Sequence, residues 1–326
     1  MAASMNQCIR VRRWFCAMAL LPAMLFAGHG QAQESTGSAS LELRLELQKT
    51  ALVLGEPAYA TIHIKNVGAN PAEVNKILDP QTGAVHIELS SAGTPRLSFL
   101  PLFYADTVDP RMALEPGEEV AAAFPIFYGA LGWSLTRPDT YHVSAWYGGS
   151  RKSSNQILRS NMVAVTVSEE GGIGASLMDD GQSSQEAGKF LLWQRGDHLQ
   201  AGQRLLTDLI AKHPDSPVSD YALLAFGRNL SRDFRNYAAG QVRQADCRSA
   251  LEYFHRVKAD RLPVFLQIQL QLDEARCRIK MDEPSEAGKA FEQAERLSGN
   301  RREYSLLFDQ AVRLEPGLKQ FSTAYP

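Results

Sequence analysis

The sequence predicts two dissimilar regions in tandem, an all-β antiparallel sandwich over residues 40–168 and an all-α set of repeated helices over residues 185–315. Three observations lead there: a period-two alternation of apolar and polar residues in the first half, a glycine- and acid-rich break at 169–184, and helical spacing after it. Leu41, Leu43, Leu45 and Leu47 alternate with Glu42, Arg44, Glu46 and Gln48, as in a strand buried on one face only. Further strands are expected at 59–64, 85–89, 96–103, 119–127, 140–147 and 162–167, separated by Gly, Pro, Asn and Asp. Short strands at that spacing describe two stacked antiparallel sheets.

Residues 169–184 hold four glycines, three serines and four acids, too little apolar surface to order strongly, and are expected to form a flexible linker. Beyond them Phe190, Leu191 and Trp193 mark one helix, and Leu205, Leu206, Leu209 and Ile210 another. The breaker His213-Pro214-Asp215-Ser216-Pro217 precedes a third helix at 221–226. Others are expected at 247–258, 264–281, 285–297 and 303–314, with Pro263 and Pro284 at helix starts, where a missing N–H costs nothing. Residues 316–326 read as a tail.

The first 32 residues have the layout of an export signal. Arg10, Arg12 and Arg13 precede an apolar run from Trp14 to Ala27, and the small residues Gly30 and Ala32 suit cleavage after Ala32. The run is short for a bilayer span of about 20 residues. A periplasmic or secreted location is therefore expected, with residues 33–39 as a disordered lead-in. Cleavage leaves 31 basic residues against 36 acidic, a net charge of −5. That balance lacks the basic footprint of a nucleic-acid-binding protein.

Leu54-Gly55-Glu56-Pro57, Leu114-Glu115-Pro116-Gly117-Glu118 and Arg137-Pro138-Asp139-Thr140-Tyr141-His142-Val143 resemble bacterial immunoglobulin-like domains. The resemblance implies a tyrosine corner at Tyr141 and puts Val143 where immunoglobulins carry their second cysteine. The same strand pattern suits a periplasmic protease-inhibitor sandwich. In the second half, Ala250-x3-Phe254 returns as Ala287-x3-Phe291. The stretch from Met281 to Leu297 resembles the second half of a tetratricopeptide repeat. That resemblance implies close helix approach at Ala287, Ala294 and Ala275. It gives Gly227 the same role in the preceding repeat and makes 231–245 an insertion.

Only Cys247 and Cys277 survive cleavage. An even count in an oxidising compartment favours a disulfide, the other arrangement being two buried thiols. The repeat resemblance places the two on neighbouring antiparallel helices, which implies a staple between adjacent repeats.

Nucleophile-elbow, zinc-helix, phosphate-loop and EF-hand motifs are missing from the sequence. His63, His86 and His142 fall in expected strands, on the solvent side, and no metal or other cofactor is expected. Phe103, Tyr128 and Trp133, with Asp106, Asp109 and Arg111 nearby, are candidates for a binding patch, Trp133 foremost because loop aromatics often anchor partners. Arg228, Arg232, Arg235 and Arg243 cluster around the insertion and could receive an acidic partner. Tyr221, Asn229 and Gln271 are candidate groove residues.

These observations point to an exported, non-enzymatic adaptor or scaffold that binds an envelope or secreted protein or peptide, peripheral to the membrane at most. The alternative is a protease inhibitor acting through loops of the sandwich. A third reading, an enzyme site assembled between the regions, would need His142, Asp139 and a serine to converge.

Overall fold

The computed structural model describes residues 40–92, 96–105, 110–148, 157–179, 181–237, 240–299, 301 and 304–321. The expected export signal, cleavage site and lead-in lie outside the described residues.

Strand β1 (Leu41–Leu47) pairs with β3 (Tyr59–Asn66), which pairs with β8 (Glu119–Pro125), all antiparallel. The register puts Leu43 opposite Ile64 and Leu45 opposite Ile62, so the alternating leucines of β1 turn inward together. A larger sheet runs β2 (Ala51–Val53), β13 (Val163–Ser168), β11 (Asp139–Gly148), β5 (Val85–Ser91) and β6 (Leu97–Ser98), with β12 (Ile157–Arg159) also on β11. β2 joins β13 in parallel. Two further pairs are β4 (Ala72–Asn75) with β7 (Arg111–Leu114), and β9 (Tyr128–Gly129) with β10 (Gly132–Trp133). At the foot of β11 the Tyr141 hydroxyl donates to the carbonyl of Arg137 at 3.1 Å and accepts from its N–H at 3.2 Å, closing the loop before the strand.

The helices are α1 (Ile173–Leu177), α2 (Gln182–Trp193), α3 (Gln200–Lys212), α4 (Pro217–Leu230), α5 (Cys247–Phe254), α6 (Val264–Lys280), α7 (Pro284–Ser298) and α8 (Ser305–Leu314). Helix α4 starts on the Ser216 hydroxyl, which accepts from the N–H of Val218, with Pro217 in the first turn. The Glu186 carboxylate of α2 accepts from the N–H groups of Ala201 and Gly202 and so caps α3 from a neighbouring helix. Helices α2 and α3, α4 and α5, and α6 and α7 lie side by side. Ala250, Ala287 and Ala294 are fully buried at the contacts, beside Phe254 and Phe291.

The expected division into an all-β sandwich and an all-α repeat does not hold. The chain is a mixed α/β fold, 41% helix and 27% strand, with its strands spread over several small sheets. Residues expected as an insertion form a hairpin inside the helical half, β14 (Phe234–Asn236) with β15 (Gln241–Arg243). One apolar core runs from Leu43 through Phe127 and Phe190 to Leu270, crossing from strands to helices. Aromatic residues make that crossing. Tyr59 stacks on Tyr221 at 6.2 Å between centroids and meets Phe265 edge-on at 5.1 Å. Tyr128 lies so close over Gly188 that a Cβ there would fall 2.2 Å from its ring.

The segment expected as a flexible linker carries α1. Its Ile173 and Leu177 are buried under the Leu54–Pro57 turn. Gly55, at φ +89°, and Gly174 allow this approach, since a Cβ on either would strike Leu177 or Leu54. The turn is itself pinned from inside: the buried Glu56 accepts from Lys49 Nζ at 2.6 Å and from the N–H of Val53 at 3.1 Å. Residues 316–321, expected as tail, form a 3-10 turn that buries Leu318 beside Phe291 and Phe308.

Candidate functional site

Three of the residues nominated from sequence prove to be packed against the core, Tyr128 and Tyr221 buried and Trp133 half-buried. Trp133 meets Tyr128 edge-on at 5.5 Å and donates its Nε1–H to Ser184 Oγ of α2 at 3.1 Å. It is a tie between β10 and α2, not a free anchor. Tyr128 is buried. Tyr221, expected in a groove, is 2% exposed, and its hydroxyl finds no hydrogen-bond partner among the described residues. Burial, reinforced by the Glu56 carboxylate, pushes its ionisation well above the usual phenol range. Phe103, by contrast, is 50% exposed beside Tyr104 and Leu100, and the N–H of Ala130 donates to the Leu100 carbonyl, which brings Leu131 alongside. Asp106 and Asp109 lie outside the described residues, and Arg111 sits in β7.

The histidines do not converge. His63 is buried, against the expectation of a solvent-side position, with Nδ1 2.7 Å from Glu119 Oε1 and Nε2 3.4 Å from Glu46 Oε2. His86 stacks on Trp146 at 3.6 Å, and burial lowers its pKa against a hydrogen bond with the Gly83 backbone that raises it. His142 is exposed. Among the described residues no three His, Cys, Asp or Glu side chains come together at metal-ligand spacing.

Arg228 stands at the centre of a buried ionic cluster. Its Nε donates to Asp273 Oδ2 at 2.8 Å, and its Nη1 donates to Gln194 Oε1 and, at 2.8 Å, to Gln269 Oε1. Arg232 and Arg276 donate to Asp273 Oδ1 at 3.0 and 2.6 Å. Burial by itself would raise the Asp273 pKa, but Arg232, Arg228 and Arg276 outweigh it and hold the carboxyl far below the usual range. Burial draws Arg228 down to about 10, with Asp273 opposing. Arg243 pairs separately with Asp197 at 2.6 Å, and Arg235 leaves the group to lie over the Tyr237 ring. Sequence reasoning found Arg228, Arg232 and Arg243 but missed Asp273 and Arg276. Their place on α6, facing α4, is a tertiary fact with no local signal.

Across α4 from that cluster, α3, α4 and α5 enclose a groove of about 550 Å³. Its floor is apolar: Phe226 stacks on Tyr253 at 5.3 Å, with Leu230 beside them. Its rim on α3 is polar, presenting Gln200, Gln203, Arg204, Thr207 and Asp208, while Asn229 closes one side. Asn229 also holds the chain entering α3, accepting from the N–H of Gly196 at 3.0 Å and donating to Asp197 at 2.9 Å. The groove thus presents aromatic faces below and hydrogen-bonding and charged groups above. Gln271, also a candidate groove residue, lies on α6 outside this lining.

Cys247, at the start of α5, and Cys277, in α6, are both buried and both free, so the expected disulfide is not formed. Interaction between the two thiols favours the thiolate at Cys247 and, together with burial, opposes it at Cys277.

No family model matches the chain, and no curated protein matches it. Solved structures resemble it in some regions only. A β-glucosidase from Listeria innocua is 18% identical over 40% of this chain and 16% of its own, at a TM-score of 0.24. The CARDB domain of a Pyrococcus furiosus protein is 16% identical over 40% of this chain and 96% of its own, at 0.23. The sporulation control protein Spo0M from Bacillus subtilis is 15% identical over 43% of this chain and 54% of its own, at 0.25. The chain thus spans about a sixth of the Listeria enzyme, and likenesses this weak carry neither a fold nor an activity to it.

Proposed function

We propose that this chain is an exported, non-enzymatic protein-binding scaffold whose partner lies in the groove between α3 and α5. The observation that carries the reading is the pairing of an aromatic floor, Phe226 and Tyr253, with a rim of amide, hydroxyl and charged groups on α3. An extended segment of an envelope or secreted protein fits that chemistry. Its apolar side chains would cover the rings, and its backbone groups, which must keep hydrogen bonds on leaving water, would meet the exposed Gln200 and Arg204 on the rim. Export is supported by the charged and apolar blocks of the first 32 residues. The inhibitor alternative centred on Trp133 finds no support in the geometry, because that ring is held under Ser184.

The test is site-specific photo-crosslinking of the exported chain. A photoreactive residue at Gln200, on the groove, is compared with one at Glu292, on the outer side of α7. The expected result is one recurrent partner segment at Gln200 that is missing at Glu292 and is lost when Tyr253→Ala is added. The same products at both positions, or none at Gln200, would overturn the reading. Sequencing the exported protein checks the address separately, with Gln33 expected as the first residue.

A further inference from the structure

The ionic cluster on the other face of α4 is short of negative charge. Arg228, Arg232 and Arg276 converge on the single carboxylate of Asp273, which leaves two positive charges unmatched. These side chains are 12%, 21% and 4% exposed, so water does little to offset the excess. Arg195 sharpens it: exposed at the edge of the cluster, its pKa is lowered by burial and then by repulsion from Arg232, Arg276 and Arg243. Arg243 brings no surplus because Asp197 matches it. The carbonyl end of α4 supplies only about half a negative charge.

Hydrogen bonding shows the same deficit. The Nε–H groups of Arg232 and Arg276 are buried and find no acceptor among the described residues. Arg276 is 4% exposed, a guanidinium fixed inside the protein with a donor unused. A buried donor without an acceptor and a buried charge without a partner are both costly, and a single ligand carrying negative oxygens relieves both.

We propose that this cluster is a binding site for a phosphate group, held between Arg195 and Arg232 at its open edge and Arg276 at its base. The charge count selects phosphate over carboxylate. A phosphate group brings close to two negative charges and three acceptor oxygens, whereas a carboxylate brings one charge and would leave a guanidinium unmatched. Planar guanidinium forks suit such oxygens better than ammonium groups do. The site is separate from the peptide groove, since Arg232 follows the end of α4, Arg276 lies on α6 and neither lines the groove, and it stands whether or not the scaffold reading holds.

Isothermal titration of the exported chain, at fixed ionic strength in chloride, tests the proposal with inorganic phosphate, phenyl phosphate and acetate. Saturable one-to-one binding of a phosphate is expected, with acetate at least ~10-fold weaker, as the loss of a charge-assisted contact implies. Arg232→Gln, at the open edge, should weaken phosphate roughly 10- to 100-fold while leaving the circular dichroism spectrum unchanged. Arg195→Gln, at an exposed position, gives a second variant should the first not fold. Binding of phenyl phosphate as tight as that of the free ion identifies a phosphomonoester on a larger molecule, and binding of the free ion alone identifies inorganic phosphate. No saturable heat with either phosphate, equal affinity for acetate, or undiminished binding by a folded Arg variant would overturn the proposal.

Discussion

On one face of α4, Arg228 meets Asp273 where water hardly reaches, while on the other face Phe226 and Leu230 floor a groove open to solvent. The two faces are one helix apart, yet different physics governs them. On the sealed side each charge depends on a few fixed partners, because the solvent that would otherwise screen it has been removed. On the open side water can replace whatever a substitution takes away. Stability is therefore concentrated on the Asp273 face, and the peptide contact proposed for the Phe226 face can be altered separately from it by mutation.

The sharpest break comes from Asp273→Asn. It leaves three buried guanidiniums without a counter-charge, and removing one partner of a buried ionic group costs about 3–5 kcal/mol. Denaturant unfolding at neutral pH reads this directly. The acid limb supplies the sign. Because the arginines depress the folded-state pKa of Asp273, its contribution is complete above the ordinary carboxylate range and is lost as pH falls through that range toward the depressed value. The Asn variant should lose that share of the pH dependence. Equal stability of the two proteins at neutral pH would show that the cluster is well solvated after all.

Next in size is the thiol pair. With oxidised glutathione as oxidant, exchange at Cys247 and then closure by Cys277 would yield one disulfide and two reduced glutathiones. The closed loop of about 30 residues should raise stability by roughly 3 kcal/mol. The count of titratable thiols should fall from two to none, with a higher Tm. Two thiols persisting after oxidation would show that α5 and α6 hold the sulfurs too firmly to bond.

Gly227→Leu should cost about 1–3 kcal/mol by overpacking. Even a Cβ there falls 2.4 Å from Phe254, whose ring is buried and cannot swing outward. This substitution strikes the contact between α4 and α5, so it should loosen groove and cluster together. A thermal melt with no shift would mean that α5 can slide away from α4.

Local patterns in the sequence carried the elements but not their assembly. The alternation of Leu43 and Leu45 with polar residues marks β1, and the small-residue spacing at Ala287 and Ala294 marks the buried face of α7, because each depends on neighbours a few positions away. Which faces meet across the chain is not written locally. Tyr128 and Trp133 read as a binding patch of one region and Tyr221 as the groove of another, yet together with Tyr59 they join strands to helices in a single core. The glycines of 169–184 read as slack, but Gly174 is small because Leu54 presses on it. Arg228 was legible as a member of a basic cluster. Its dependence on Asp273 was not, since 45 residues separate the two in sequence.

The smallest effect on stability should come from the open face, where it is also most informative about function. Thr207 is exposed on the rim, and its hydroxyl donates only to the Gln203 carbonyl one turn back. Thr207→Arg gives up that bond, gains a better helix former, and should alter unfolding free energy by less than about 0.5 kcal/mol. Its long side chain would nevertheless lie across the ring pair of Phe226 and Tyr253. Crosslinking from Gln200 should therefore fall sharply while the melt stays in place. Asp273→Asn, compared at a temperature where it remains folded, should leave the crosslinks unchanged. If Thr207→Arg instead crosslinks as the wild type does, the partner does not touch the aromatic floor, and recognition has to be sought at the exposed Phe103, Tyr104 and Leu131 on the strand side.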